Sequence, residues 1–137
     1  MRSCVTVRID RVAMRELEGF VADFAAAGRL APDDQSRTLI ALEELLTNLL
    51  KYGLPDAPGV ANVTLELDGD RLVIEFSDDG QAFDPFAGAP PDFDRSVDQK
   101  PVGGLGLHLV RRLMDETSYT RRDGRNFVRL SRRVVRL

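Results

Sequence analysis

The sequence predicts an α+β fold: a two-layer α/β sandwich in which helices cover one face of a mixed, mostly antiparallel sheet. Three observations predict it. Alternating apolar residues come in adjacent pairs, at 63–67 with 72–76 and at 117–120 with 126–130, each pair joined by a turn signal. Helical periodicity comes in separate blocks, at 11–27, 32–52 and 107–114. Strands that arrive in pairs, with helices in their own blocks, favour separate layers over a parallel sheet with alternating crossovers. A chain of 137 residues fits one domain, 1–137, and is long enough to bury a real core.

The elements follow in order. Val5, Val7 and Ile9 alternate with polar residues and read as a half-buried first strand. Asp10 is placed to cap a helix from Arg11 to about Ala27, whose Val12, Leu17, Phe20, Val21 and Phe24 follow a helical period and which Gly28 ends. Pro32-Asp33-Asp34 opens a second helix, with acidic residues at its positive end, running to about Tyr52 before Gly53 and Pro55. Val63, Leu65 and Leu67, then Leu72, Ile74 and Phe76, make two antiparallel strands around Asp68-Gly69-Asp70. The stretch from about Phe83 to Val102, with Pro85, Pro90, Pro91 and Pro101, has no clear period, and a loop of that length in a compact domain is usually functional. Gly103 to Gly106 then turns into a third helix, Leu107 to about Met114, and Thr117–Thr120 with Asn126–Leu130 close the chain as a hairpin around Asp123-Gly124.

Composition excludes several classes of function. The net charge of −3 argues against a dedicated nucleic-acid surface. A single cysteine, Cys4, allows no disulfide framework and no cysteine metal cluster. No apolar run approaches the roughly 20 residues that span a bilayer, and no apolar stretch of a signal peptide follows Arg2, so the expectation is a cytoplasmic protein with no membrane contact. Only Lys51 and Lys100 are lysines, and arginines crowd the stretch from Arg111 to Arg136, either as a solvated basic face or as a docking surface for an acidic partner.

Three segments carry candidate chemistry. On the second helix Glu44 and Asn48 are four apart and project from one face, which Lys51 continues, while Glu43 lies about 100° away. A carboxylate there can act as a base, and an amide oxygen can ligate a hard cation such as Mg²⁺ without adding charge. In the second segment a buried strand ends at Asp78, followed by Asp79-Gly80, and a carboxylate at a strand end can accept a hydrogen bond from an amino group such as that of adenine. In the third, Gly103-Gly104-Leu105-Gly106 precedes a helix, and glycines there let backbone N–H groups approach a phosphate. The dinucleotide fingerprint and the P-loop are both absent. His108, the only histidine, reads as an ordinary helical residue, so zinc sites and Cys-His catalysis have little support.

The order and spacing of these segments resemble the GHKL-type ATPases, which include histidine-kinase ATP domains, gyrase and the MutL group. Within them the chain most resembles the bacterial anti-sigma-factor serine kinases of the RsbW type. Glu44-Leu-Leu-Thr-Asn48 resembles that family's N box, Asp78-Asp-Gly80 its first glycine box and Gly103-Gly-Leu-Gly106 its second. Phe83-Asp-Pro85, Met114-Asp115 and Asp123-Gly-Arg-Asn126 are also similar to the family, and the resemblance covers almost the whole chain. It departs where Tyr52 precedes Gly53 in place of a histidine, where Ala82 stands for a second glycine, and where Asn126 replaces a late threonine.

The resemblance implies the Bergerat-type sandwich and an ATP-binding pocket. Asn48 would hold Mg²⁺, Glu44 would be the general base, and Asp78 would bind the adenine amino group. Gly80, Ala82 and Phe83, with Gly103, Gly104, Leu105, Gly106 and Leu107, would shape the adenine and phosphate walls. Tyr52 and Asn126 would complete the cofactor contacts, Lys51 and Lys100 are the candidate phosphate cations, and residues 86–102 would form a mobile lid. The implied function is ATP-dependent serine/threonine phosphorylation of an anti-anti-sigma (STAS-type) protein, with a sigma factor as the second partner; the resemblance also leaves room for a homodimer. Two other functions remain open at this point: a nucleotide-binding switch without kinase activity, and an ATP domain serving a histidine-phosphotransfer system. The latter is disfavoured because the sequence lacks a dimerising helical hairpin with its own phosphoacceptor histidine.

Overall fold

The computed structural model describes residues 1–50, 59–87 and 104–137. Five strands and three helices are present among them: β1 (Arg2–Arg8), α1 (Ala13–Gly28), α2 (Pro32–Asn48), β2 (Val60–Asp68), β3 (Arg71–Asp78), α3 (Gly104–Leu113), β4 (Glu116–Arg122) and β5 (Arg125–Arg133). The strands form one sheet in the order β1-β2-β3-β5-β4. Every pairing is antiparallel, which bears out the antiparallel layer and leaves no parallel pair among the described strands. Because β3 and β4 both run opposite to β5, they point the same way, and α3 is the crossover that carries the chain back between them.

Period-two alternation sorts the sheet into a dry and a wet face. Val7, Ala61, Val63, Leu65, Leu67, Leu72, Ile74, Phe76, Val128 and Leu130 are buried and join one core with Leu17, Val21, Phe24, Leu42, Leu45, Leu46 and Val110 of the helices. Cys4, Thr6, Glu66 and Arg129 alternate with them on the opposite, exposed face. The architecture is therefore two layers, with helices on one face of the sheet.

The element ends refine the expectations. Asp10 does act at the start of α1: its Oδ1 accepts the N–H groups of Val12 and Ala13 at 2.8 and 3.1 Å, so the regular helix begins at Ala13, later than the expected Arg11. Gly28 is the last residue of α1, and Arg29 is the one that takes the left-handed conformation, with φ 56°. Gly28 is needed for space instead: a Cβ there would meet Leu67 Cδ2 at 3.1 Å. Regular α2 stops at Asn48, with Leu49 and Leu50 continuing in a wider turn; its expected end at Tyr52 lies outside the described residues. The third helix starts at Gly104, so Gly104, Leu105 and Gly106 belong to its first turn and not to a turn preceding it. Asp123 and Gly124 form the expected β4–β5 turn with φ 52° and 73°, both positive as a tight primed hairpin turn requires.

One buried charge ties the layers together. Asp34, in the first turn of α2, is 4% exposed. Its Oδ1 accepts Arg132 Nε at 3.2 Å and its Oδ2 accepts the Val135 N–H at 2.8 Å. Arg132 also donates to the Leu113 carbonyl at 2.7 Å, so α2, the end of α3 and the last strand meet at one guanidinium. Other arginines of the basic C-terminal stretch are similarly engaged: Arg121 with the Gly80 carbonyl, Arg125 with Ser77 Oγ, Arg136 with the Gly28 carbonyl, and Arg122 over the Phe127 ring. Much of that basic run thus holds the domain together rather than forming a free docking face. Arg132→Met should lower unfolding free energy by about 2–3 kcal/mol, because a buried carboxylate loses its cation while keeping one backbone donor. Urea unfolding measures this, and a loss below about 0.5 kcal/mol, the size of an ordinary surface change, would show that the pair does not tie the layers.

Candidate functional site: a cleft between the second helix and the sheet

At the end of β3 the chain leaves the sheet through Asp79 and Gly80, and a cleft opens between this corner and α2. Leu45, Asn48, Leu49, Phe76, Asp78, Phe83, Pro85, Asn126 and Val128 line it, and it is open to solvent. Its base is apolar, from Leu45 and Leu49 on one side and Phe76 and Val128 on the other. Three polar side chains, Asn48, Asp78 and Asn126, converge on it, each no more than 5% exposed. A mostly apolar hollow with a few placed polar groups is the general form of a small-molecule site.

Asp78 and Asn126 are cross-strand neighbours in register, and Arg121 is the next residue in the same row, on β4. Asp78 Oδ1 accepts the Gly80 N–H at 2.8 Å and Asn126 Nδ2 at 3.0 Å. The first bond is an Asx turn that folds the chain sharply out of the strand. Asn126 Nδ2 also donates to the Gln81 carbonyl at 2.8 Å. Its Oδ1 accepts Tyr119 Oη at 2.6 Å, Arg121 Nη1 at 3.1 Å and the Phe83 N–H at 3.4 Å. The amide is therefore saturated on both sides. Asp78 is not: among the described residues both of its hydrogen bonds fall on Oδ1, which leaves Oδ2 for the cleft.

Asn48 presents the complementary case. It is 4% exposed and its side chain makes no hydrogen bond to any described residue, yet no buried side-chain polar atom among them is left unpartnered. Its amide therefore meets solvent through the cleft. A neutral oxygen donor in that position suits Mg²⁺, which keeps most of its waters and draws its other ligands from a phosphate. No cluster of three or more His, Cys, Asp or Glu side chains that could hold a metal occurs among the described residues.

The structure brings Asn48, Asp78, Phe83 and Asn126 together around the cleft and puts Gly80 in its wall turn. Glu44 lies one turn back on α2, half-buried, and is not among the lining residues, while Glu43 is exposed. Ala82 is exposed. Gly104, Leu105, Gly106 and Leu107 form the first turn of α3, whose leading N–H groups lack helical partners. Lys51, Tyr52, Lys100 and Gly103 lie outside the described residues, as does most of the expected lid. The start of that lid is anchored: Phe86 is half-buried, its carbonyl accepts Arg111 Nη2, and the same guanidinium lies 5.3 Å from its ring centroid.

Sequence reasoning missed the apolar base, although spacing held the signal. Leu45 and Leu49 flank Asn48 on one side of α2, and Phe76 and Val128 lie two residues from Asp78 and Asn126 on the same strand faces. It also missed Tyr119 and Arg121, which reach the site only through the β4–β5 register.

Fold and site together define an ATPase-type α+β domain. The sequence profile of the histidine kinase-like ATPase domain matches residues 7–132, and the chain belongs to that family. Among curated relatives it is similar to the serine/threonine-protein kinase BtrW of Bordetella bronchiseptica, 33% identical over 93 residues that cover 67% of this chain and 66% of that protein. It is likewise similar to the serine-protein kinase RsbW of Staphylococcus aureus, 34% identical over 98 residues covering 67% of this chain and 62% of that one. The chain thus spans just under two thirds of the curated relatives it matches. A crystal structure of the RsbU and RsbW domains of a Mycobacterium tuberculosis protein shares the fold, with TM-score 0.71 at 18% identity over 100% of this chain and 33% of that one.

Replacing Asn126 by Asp should test the corner directly. Asn126→Asp keeps the shape but places a carboxylate oxygen where Nδ2 now donates to Asp78 and Gln81. One buried and one partly buried acceptor lose a donor and face a charge, so the expected loss is about 2–3 kcal/mol in urea unfolding. A variant as stable as the parent would mean that the corner is not held by this amide.

Proposed function

We propose that this chain, acting over residues 1–137 as one ATP-binding domain, is a Mg-ATP-dependent serine/threonine kinase that controls a sigma factor by partner switching in the cytoplasm. Its substrate would be an anti-anti-sigma protein of the STAS type, whose unphosphorylated form displaces the sigma factor. The observation that carries the reading is a pair of polar groups that face one solvent-open cleft without a hydrogen-bond partner among the described residues, the Asn48 amide and Asp78 Oδ2, in a chain of the histidine kinase-like ATPase family. The names of the relatives BtrW and RsbW support the kinase assignment.

Each residue then has a task. Asp78 Oδ2 accepts a hydrogen bond from the adenine amino group while Phe76, Leu45, Leu49 and Val128 cover the ring. Asn48 supplies one oxygen ligand to magnesium, which when bound offsets the phosphate charge. The N–H groups in the first turn of α3, which have no partner within the helix, suit phosphate oxygens. Glu44, one helical turn before Asn48, takes the proton from the attacking serine hydroxyl; a group of this kind typically contributes about 10²–10⁴-fold. Phosphoryl transfer otherwise asks mainly for positioning and charge neutralisation.

One observation favours a second reading, a nucleotide-binding switch without transfer activity: Glu44 does not line the cleft. Glu44→Gln separates the two. In single-turnover transfer from radiolabelled ATP to a purified STAS-type partner, the variant should bind nucleotide normally and transfer at least about a hundredfold more slowly. Glu43→Gln, on an exposed face, should be silent. Equal rates for wild type and Glu44→Gln would remove Glu44 as the base, and no transfer by either, with binding intact, would favour the switch. ATP should also bind more weakly in EDTA than in Mg²⁺, and Asn48→Ala should erase most of that difference in calorimetry. Equal affinity with and without Mg²⁺ would take Asn48 out of the metal site.

A further inference from the structure

The acceptor that Asp78 offers to the cleft depends on which way the neighbouring amide points. Asn126 Nδ2 occupies Asp78 Oδ1 and the Gln81 carbonyl. Rotating the amide by half a turn would set its oxygen against both of those acceptors. What prevents this lies on the other side of the amide. Arg121 has donors and no acceptor, so only an oxygen can face it, and its Nη1 bonds both Asn126 Oδ1 at 3.1 Å and the Gly80 carbonyl at 2.7 Å. Tyr119 Oη adds a donor at 2.6 Å, shorter than the usual neutral hydrogen bond.

We propose that Tyr119 and Arg121 are positioning residues for base recognition: they fix the Asn126 carboxamide so that it caps Asp78 Oδ1 and leaves Oδ2 as the one acceptor facing the base. The inference rests on the reading of Asp78 as the base contact. It adds that selectivity for a purine bearing an amino group over one bearing a carbonyl is set from the edge strand β4, by two side chains outside the cleft lining. Arg121 serves a second purpose, because the Gly80 carbonyl it holds belongs to the same turn that caps Asp78. Loss of Arg121 removes the donor that only an oxygen can face, and loss of Tyr119 leaves that oxygen to Arg121 and the Phe83 N–H at 3.4 Å; in either case the amide is held less firmly, and the carboxylate can share both oxygens with the turn.

The test compares ATP with inosine triphosphate, which carries a carbonyl in place of the amino group, by calorimetry on the full chain. Wild type should prefer ATP. Tyr119→Phe should reduce the ratio of affinities about fivefold, the worth of one hydrogen bond, and Arg121→Met should reduce it at least as much. Arg121→Lys keeps a donor within reach and should restore most of the ratio. Ser118→Ala, next to Tyr119 on the opposite face of β4, should leave it unchanged. A purely structural role would weaken both nucleotides together and leave the ratio alone. A wild type that binds both nucleotides equally overturns the base-contact reading and this inference with it. A selective wild type whose Tyr119→Phe and Arg121→Met variants keep the full ratio overturns this inference only.

Discussion

The hydrogen bond of 3.0 Å from Asn126 Nδ2 to Asp78 Oδ1 joins β5 to β3 at the point where β3 leaves the sheet, and the functional end of the molecule is built around it. A buried carboxylate is costly unless donors surround it. Here one donor is the Gly80 N–H of its own turn and the other is an amide fixed by the neighbouring strand. Both fall on the same oxygen. The carboxylate is thereby satisfied enough to be buried and still has one oxygen to offer. Were both oxygens capped, the cleft would have no acceptor at this position; were neither capped, the acid would be poorly held.

The same economy of donors appears on the opposite wall. Asn48 comes from a helix whose other inward residues, Leu42, Leu45, Leu46 and Leu49, are committed to the core. Helical spacing sets the amide beside the face shared by Leu45 and Leu49, so it reaches the cleft while those two residues seal the floor. Burial among leucines gives such an amide few partners in the protein, so it turns to the solvent side of the cleft. The helix that carries it is locked in turn by Asp34 at its N-terminal end, through Arg132 and the Val135 N–H. A charge at one end of α2 therefore steadies the Asn48 amide at the other, through a rod of about four turns.

Arginine does much of the joining in this chain. Arg111 grips Phe86, Arg121 the Gly80 turn, Arg132 the α2–α3–β5 junction and Arg136 the end of α1. Each case pairs a guanidinium with a backbone carbonyl, and the planar fork, with several donors, can bond a second group in two of them. Lysine, with a single charged centre, would bridge such pairs less well. This accounts for arginine at these four positions.

The sequence by itself determined the layers. Period-two runs at 63–67 and 72–76 and the helical stripes of α1 and α2 follow from local sterics and from which side chains leave water, so they are visible without a fold. The Asp-Gly turns and the roles of Pro32 and Asp10 were equally local. Two of the three chemistry-bearing segments placed Asn48 and Asp78 as candidates, and the family resemblance added Asn126. What only the tertiary structure decided was pairing. That Asn126 replaces a threonine is legible; that it faces Asp78, with Arg121 next in the row, depends on the registers of β3, β5 and β4. The reason Gly28 is glycine is the approach of Leu67 from a distant strand, and Arg29 takes the left-handed turn in its place. Long-range contacts of this kind leave no periodic trace in the chain, because each one joins positions whose separation is set by loops and not by any repeat.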